Sequence, residues 1–231
     1  MSEGCYLLEL DQSATIQTEG HSSFIGGKPR LPAGTALPRC RFCDAALAFY
    51  FQVAFPEDHC WGGLSLAIFS GVDCAHREYT IPPMLDAPLK GAQIPAGFLE
   101  EYQGNFRLFV FETSSARLVQ DYQERVKFVP WRLIPSDETR AYVNRLGGEP
   151  AWILGDEEPA SYGSSAMRFL MQITEDFEFK ILEGAPRMKP VFDLTGHQPP
   201  PFYDLFNANA LYFFGTEDRD HPAVYIITQI D

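Results

Sequence analysis

Basic side chains are scarce in this chain. Against 31 Asp and Glu stand 18 Lys and Arg, which gives a formal net charge of −13 and a pI near 4.8. A basic face long enough to track a phosphate backbone cannot easily be assembled from so few cations, so nucleic acid is not the expected partner. Long apolar runs are also missing: none approaches the roughly 20 residues of a membrane span. The opening residues, MSEGCYLLELDQ, have neither the basic region nor the apolar core of a secretory signal, which predicts a cytoplasmic protein. No Gly-x-Ser-x-Gly elbow, phosphate-cradling Gly loop or HExxH is found, and five histidines (His21, His59, His76, His197, His221) are scattered without pattern. Cysteine stops at residue 74. The five present, Cys5, Cys40, Cys43, Cys60 and Cys74, are too few and too uneven for a disulfide framework.

What remains is a folded composition. With 231 residues, 45% hydrophobic, 14% aromatic, and 18 each of Gly and Pro, the chain can bury a sizeable core between many turns. Strands are the legible elements: Leu47–Val53, Leu64–Phe69, Phe106–Phe111, Val126–Ile134, Ala166–Ile173, Leu211–Phe214 and Val224–Thr228 are runs of β-formers bounded by Gly and Pro. One capped helix is expected over Ser136–Leu146, which ends on Gly147, and a weaker one over Ser114–Glu124. The expected class is α+β and β-rich.

An internal repeat organises the rest. Gly26-Gly27-Lys28-Pro29 recurs as Gly147-Gly148-Glu149-Pro150, and the strand FYFQV around Gln52 recurs as FLMQI around Gln172, with nearly the same spacing. The Gly pairs permit positive φ and a tight reversal, and the prolines fix the next step. Gln52 and Gln172 sit in apolar strands and need partners for their amides, which nearby backbone can provide. Gly26, Gly27, Pro29, Gln52, Gly147, Gly148, Pro150 and Gln172 are therefore read as structural. The repeat predicts two related β-rich units, 1–135 and 136–231, packed into one globular body.

Ser22 to Pro32 (SSFIGGKPRLP), Pro38 to Cys43 (PRCRFC) and the Leu47–Val53 strand together resemble the bacterial YwqG-like family, a domain of unknown function. GGEPAW (147–152), MRFLMQI (167–173) and ALYFFGT (210–216) are similar to its C-terminal part, and only the stretch from Glu78 to Arg145 is poorly matched. The GGxP, CxxC and FxxQV segment is also similar to the eukaryotic programmed cell death protein 2 group, regarded as adaptors or dedicated chaperones in ribosome assembly. Bacterial members occur beside secreted toxins, so the resemblance implies a candidate immunity protein.

Cys40-x2-Cys43 has the spacing that lets two thiolates from one tight turn reach a single zinc. The resemblance implies a second Cys pair after the next strand. Here Ser70 or Gly71 occupies the third position, and Cys74 and His76 are left to complete a Cys3His set, with Cys60 or His59 as substitutes. The alternative is a set of free, buried thiols. A redox CxxC is disfavoured, because no helix follows Cys40.

Acidic charge clusters late in the chain. Asp156, Glu157, Glu158, Glu175 and Asp176 lie within one acid-rich stretch, and Glu217, Asp218 and Asp220 follow the Leu211 strand. They are read either as a solvated face or as a recognition surface for a basic partner, with Trp152 and Trp61 as anchors or as core. Three functions are expected, in this order. The first is an immunity protein that occludes a basic toxin such as a nuclease. The second is an adaptor for a basic protein, ribosomal for example. The third is an unrecognised enzyme. No catalytic residue is assigned, and the only cofactor considered is one structural zinc.

Overall fold

Ten strands form the path of one large sheet in the computed structural model, which describes residues 4–74, 81–86, 89–188 and 199–230. In chain order they are β1 (Tyr6–Leu10), β2 (Phe24–Ile25), β3 (Ala48–Ala54), β4 (Leu64–Ser70), β5 (Phe106–Glu112), β6 (Val129–Pro135), β7 (Arg145–Leu146), β8 (Ser165–Ile173), β9 (Ala210–Thr216) and β10 (Val224–Gln229). Their order across the sheet is β10-β9-β8-β7-β1-β6-β2-β3-β4-β5, antiparallel throughout. Two short strands, Gln93–Ile94 and Ser161–Tyr162, hang off this path. All seven strands expected from the sequence are present within a few residues.

The arrangement is symmetric about its centre. β2-β3-β4-β5 runs outward on one side, and β7-β8-β9-β10 runs outward on the other. In each half the Gln-bearing strand carries an irregularity of register one turn of the pleat before the Gln, between Phe49 and Phe51 and between Phe169 and Met171. The displaced carbonyl of each irregularity accepts from the first Gly of the tight turn: Gly26 N–H donates to Tyr50 O at 2.9 Å, and Gly147 N–H to Leu170 O at 2.8 Å. These four turn glycines have φ between 57° and 75°, so a side chain there would be strained. Each Gly-Gly strand pairs on its inner side with one of the two central strands, β7 with β1 and β2 with β6. Leu7 of β1 faces Arg145, Phe24 of β2 faces Pro130 of β6, and β1 and β6 pair with each other at the centre.

One face of the sheet builds a core that takes residues from all ten strands, including Ile25, Phe51, Ile68, Trp131, Leu146, Met171, Phe213 and Ile226. Side chains alternate across a strand, so Phe24 and Arg145, beside Ile25 and Leu146, point to the opposite face. In the first half that opposite face is a second apolar cluster. Phe24, Phe49 and Phe69 are covered there by Leu31, Cys40, Leu47, Cys74, Ala116 and Tyr122.

The helical component of the expected class is corrected. Residues 136–144 form turns and bends that lead straight into β7, because Arg145 and Leu146 are drawn into the sheet between β1 and β8. Over 114–124 a 3-10 turn ends at Ser115, and Ala116–Leu118 pairs with Arg30–Pro32. The only α-helix among the described residues is the single turn Phe98–Glu101.

Candidate functional site

Two constellations stand out, one in each half. The first begins at a tight knuckle. Cys40 N–H donates to Ala45 O, Asp44 N–H returns to Cys40 O, and Arg39 clamps the loop by two bonds to Asp44 of 2.8 and 3.1 Å. Asp44 takes the left-handed conformation, φ 57°, that closes the turn. Cys74 arrives from beyond the end of β4. Its Sγ lies 3.4 Å from that of Cys40, and the sulfurs of Cys40, Cys43 and Cys74 all fall within 4.8 Å of one another. Cys40 and Cys74 are buried and Cys43 is exposed.

Three thiols so placed suit a soft cation in tetrahedral coordination, and zinc–thiolate distances of about 2.3 Å fit such a triangle. Burial pushes the Cys74 thiol up to about 12, reinforced by hydrogen bonds with its two neighbours. The Cys43 thiol is lowered, chiefly by the Ala45 N–H. His76, the expected fourth ligand, lies outside the described residues. The proposed substitutes are elsewhere: His59 Nδ1 accepts from Trp61 N–H at 3.0 Å, and its Nε2 meets Leu170 O at 3.1 Å in the second half. Cys60 Sγ sits 3.7 Å from the same imidazole. Neither is at the sulfur triangle: His59 is corrected from a ligand substitute to a group that joins the halves, and Cys60 to a thiol beside that imidazole.

The second constellation is a cavity of about 410 Å³ beside the second Gly-Gly turn. Trp152 forms one wall, its ring parallel to Phe214 with centroids 5.9 Å apart and close to Tyr212 at 4.4 Å. Gln229 fixes the segment after it: Oε1 accepts from the N–H groups of Ile153 and Leu154, and Nε2 donates to Gly155 O. Glu149, Asp156 and Glu158 bring carboxylates to the rim, and Arg140 and Arg168 bring guanidinium groups. Arg140 pairs with Glu149, Lys90 with Asp156 at 2.9 Å, and Arg168 with Glu217 at 2.5 Å. Burial pushes the Glu158 carboxyl up, and the adjacent Asp156 charge adds to this. Asp156 feels burial too, but the Glu158 N–H and the Lys90 ammonium outweigh it and hold its carboxyl below the usual range.

The structure divides the residues expected to meet a partner. Trp152, Asp156, Glu158 and Glu217 gather round this cavity, and Asp218 is close by, its N–H donating to Ser165 Oγ at the start of β8. Asp220 is exposed in the same loop, its N–H bonded to Asp218. Glu157 is half-buried. Glu175 and Asp176 lie at the far end of β8, a nine-residue strand of about 30 Å, and so belong to a different surface. Of the two readings of Trp61, anchor or core, the structure takes core: it is 1% exposed, and its Nε1 donates to Thr216 O at 2.9 Å. Arg140, Arg168 and the fully buried Arg145 were not singled out by sequence reasoning. Overlaying the two Gly-Gly turns does signal Arg145, since it puts a charge where the first half has Phe24.

No protein-family model and no curated protein matches the chain.

Proposed function

We propose that this chain is a non-enzymatic acidic binding protein of the YwqG-like kind, in which an internal duplication supplies two β units and one zinc clips the first. Its role in this reading is to neutralise a basic protein partner, a toxin such as a nuclease, by covering it. The observation that carries the reading is the convergence of Trp152 with Glu149, Asp156 and Glu158 on one cavity rim, with Glu217 adjoining across Arg168. A rigid aromatic ringed by carboxylates is the composition of an interface centre that selects a cationic partner.

Duplication is supported by the recurrence of the Gly-Gly turn, the register irregularity and the buried Gln in the same order in both halves. Zinc is supported by the three-thiol triangle, which would tie the Cys40 knuckle to the end of β4 over the apolar cluster around Phe49. Five free thiols agree with a reducing compartment, and the reading places the protein in the cytoplasm. No helix among the described residues is long and apolar enough to cross a membrane.

The test is the affinity of a captured basic partner for the wild type and for a D156K/E157K/E158K variant at low salt. The reading expects at least a tenfold loss in the variant, with much of the wild-type affinity screened away at high salt. Equal affinities contradict it.

A further inference from the structure

The three sulfurs of the triangle differ in their access to solvent. Cys40 and Cys74 are 3% and 4% exposed, and their sulfurs touch at 3.4 Å. Cys43 is exposed, yet its sulfur lies within 4.8 Å of both. A disulfide places its sulfurs about 2 Å apart, so the buried pair closes by a shift of about 1.4 Å. The backbone on each side is anchored. Cys40 sits in the knuckle closed by Ala45 and Asp44, and Gly71 N–H donates to Asn105 O at 2.8 Å just before Cys74. The other two thiols are elsewhere: Cys5 bonds to the carbonyls of Glu138 and Gly147, and Cys60 lies beside His59.

We propose that the triangle is a hydroperoxide-responsive relay, in which Cys43 takes the oxidation and passes it to a disulfide between Cys40 and Cys74. One exposed thiol meets the oxidant, and two buried thiols in contact receive the result. The product pair lies across the chain and not within the CxxC. The inference concerns the metal-free chain and does not depend on zinc or on a protein partner. A zinc held by the same sulfurs competes with it.

The steps balance with one hydroperoxide per chain. The Cys43 sulfur attacks the terminal peroxide oxygen, the O–O bond breaks, and Cys43 becomes a sulfenic acid as the peroxide leaves as an alcohol or water. The Cys74 sulfur then attacks the Cys43 sulfur. The S–S bond forms, the S–O bond breaks, and the departing hydroxide takes the Cys74 proton as water. Cys40 exchanges into this bond at the Cys74 sulfur, and its proton returns to Cys43 as that thiol is released. In sum two thiols lose two electrons and the peroxide is reduced. The closed bond clips the knuckle to the chain beyond β4, over the apolar cluster around Phe49. Among cytoplasmic proteins such bonds are transient and serve to sense oxidants.

The experiment treats the full chain, freed of metal by a chelator, with an equimolar amount of hydrogen peroxide. Samples are alkylated over time, and disulfides are mapped by peptide mass spectrometry. The expected product is a Cys40–Cys74 disulfide, with Cys5, Cys43 and Cys60 recovered as free thiols. C43S should form that bond at least about tenfold more slowly, because the buried pair must then meet the peroxide directly. C40S should stop the relay at a Cys43–Cys74 disulfide. Oxidation that ends at a Cys43 sulfinic acid, disulfides that involve Cys5 or Cys60 or join two chains, or an unchanged rate in C43S each overturn the proposal. The wild-type map decides the product even if a variant does not fold. Zinc is counted separately by native mass spectrometry, so a chain that binds no zinc but closes Cys40 to Cys74 supports the relay alone.

Discussion

Gln52 and Gln172 hold the same two backbone groups at corresponding places in the two halves. Gln52 Oε1 accepts from Arg30 N–H at 3.1 Å, and its Nε2 donates to Ser22 O at 3.2 Å. Gln172 Oε1 accepts from Ala151 N–H at 2.9 Å, and its Nε2 donates to Val143 O at 3.0 Å. Each amide thus ties the chain on both flanks of its Gly-Gly turn to the strand that carries the register irregularity. Replacing either Gln by Leu leaves a buried donor and acceptor without partners and should cost about 2–3 kcal/mol. Urea unfolding of Q52L and Q172L checks this, and the two losses should be similar.

Trp61 ties the halves together. Its ring covers Gly215 so closely that no side chain fits there, and its indole N–H reaches Thr216 O. W61A opens a cavity in the shared core and should cost about 3–5 kcal/mol. G215A forces the ring aside and should cost about 1–3 kcal/mol. Both losses are read from equilibrium unfolding, and a neutral G215A would contradict the packing described.

Zinc loading predicts one zinc per chain by native mass spectrometry. C43S should lose it and take on the lower unfolding midpoint of chelator-treated wild type, because only the metal's contribution is removed from an exposed position. C60S, whose thiol sits beside His59 and outside the triangle, should keep its zinc.

Asp204 gives a pH dependence of defined sign. Burial, then the charges of Glu178 and Asp176, push its carboxyl above the usual range. The folded state therefore holds this proton more tightly than the unfolded chain, so ionisation at neutral pH works against folding. D204N should raise the unfolding midpoint at pH 7. Its advantage should shrink as pH falls through the raised pKa and vanish below about pH 3, where both states are protonated. Midpoints of the two proteins across pH 3 to 7 check the sign.

The strands were legible because their signal is local. Runs such as LSLAIF and FRLFVF are β-formers at every position, and burial on both faces leaves them little alternative. β1 was missed because YLLEL mixes apolar and acidic residues and is held by partners more than a hundred residues away. The expected helix at 136–146 failed for the same kind of reason: its capping pattern is local, but the pairing of Arg145 and Leu146 with β1 and β8 is not, and pairing prevailed. At the candidate sites, CxxC spacing identified the knuckle and Cys74 joined it. The cavity was half visible, since Trp152 and the acids are sequence neighbours, while Arg168 and its partner Glu217 reach it only through the sheet.

The acidic face around Trp152 is proposed to engage a basic protein. Its most direct test is affinity capture of the tagged chain from its own cell lysate at low salt, with recovered proteins identified by mass spectrometry. One basic protein is expected in stoichiometric amount, released by raised salt and absent from the D156K/E157K/E158K capture. Recovery of no basic protein, or of the same protein by wild type and variant alike, would contradict it.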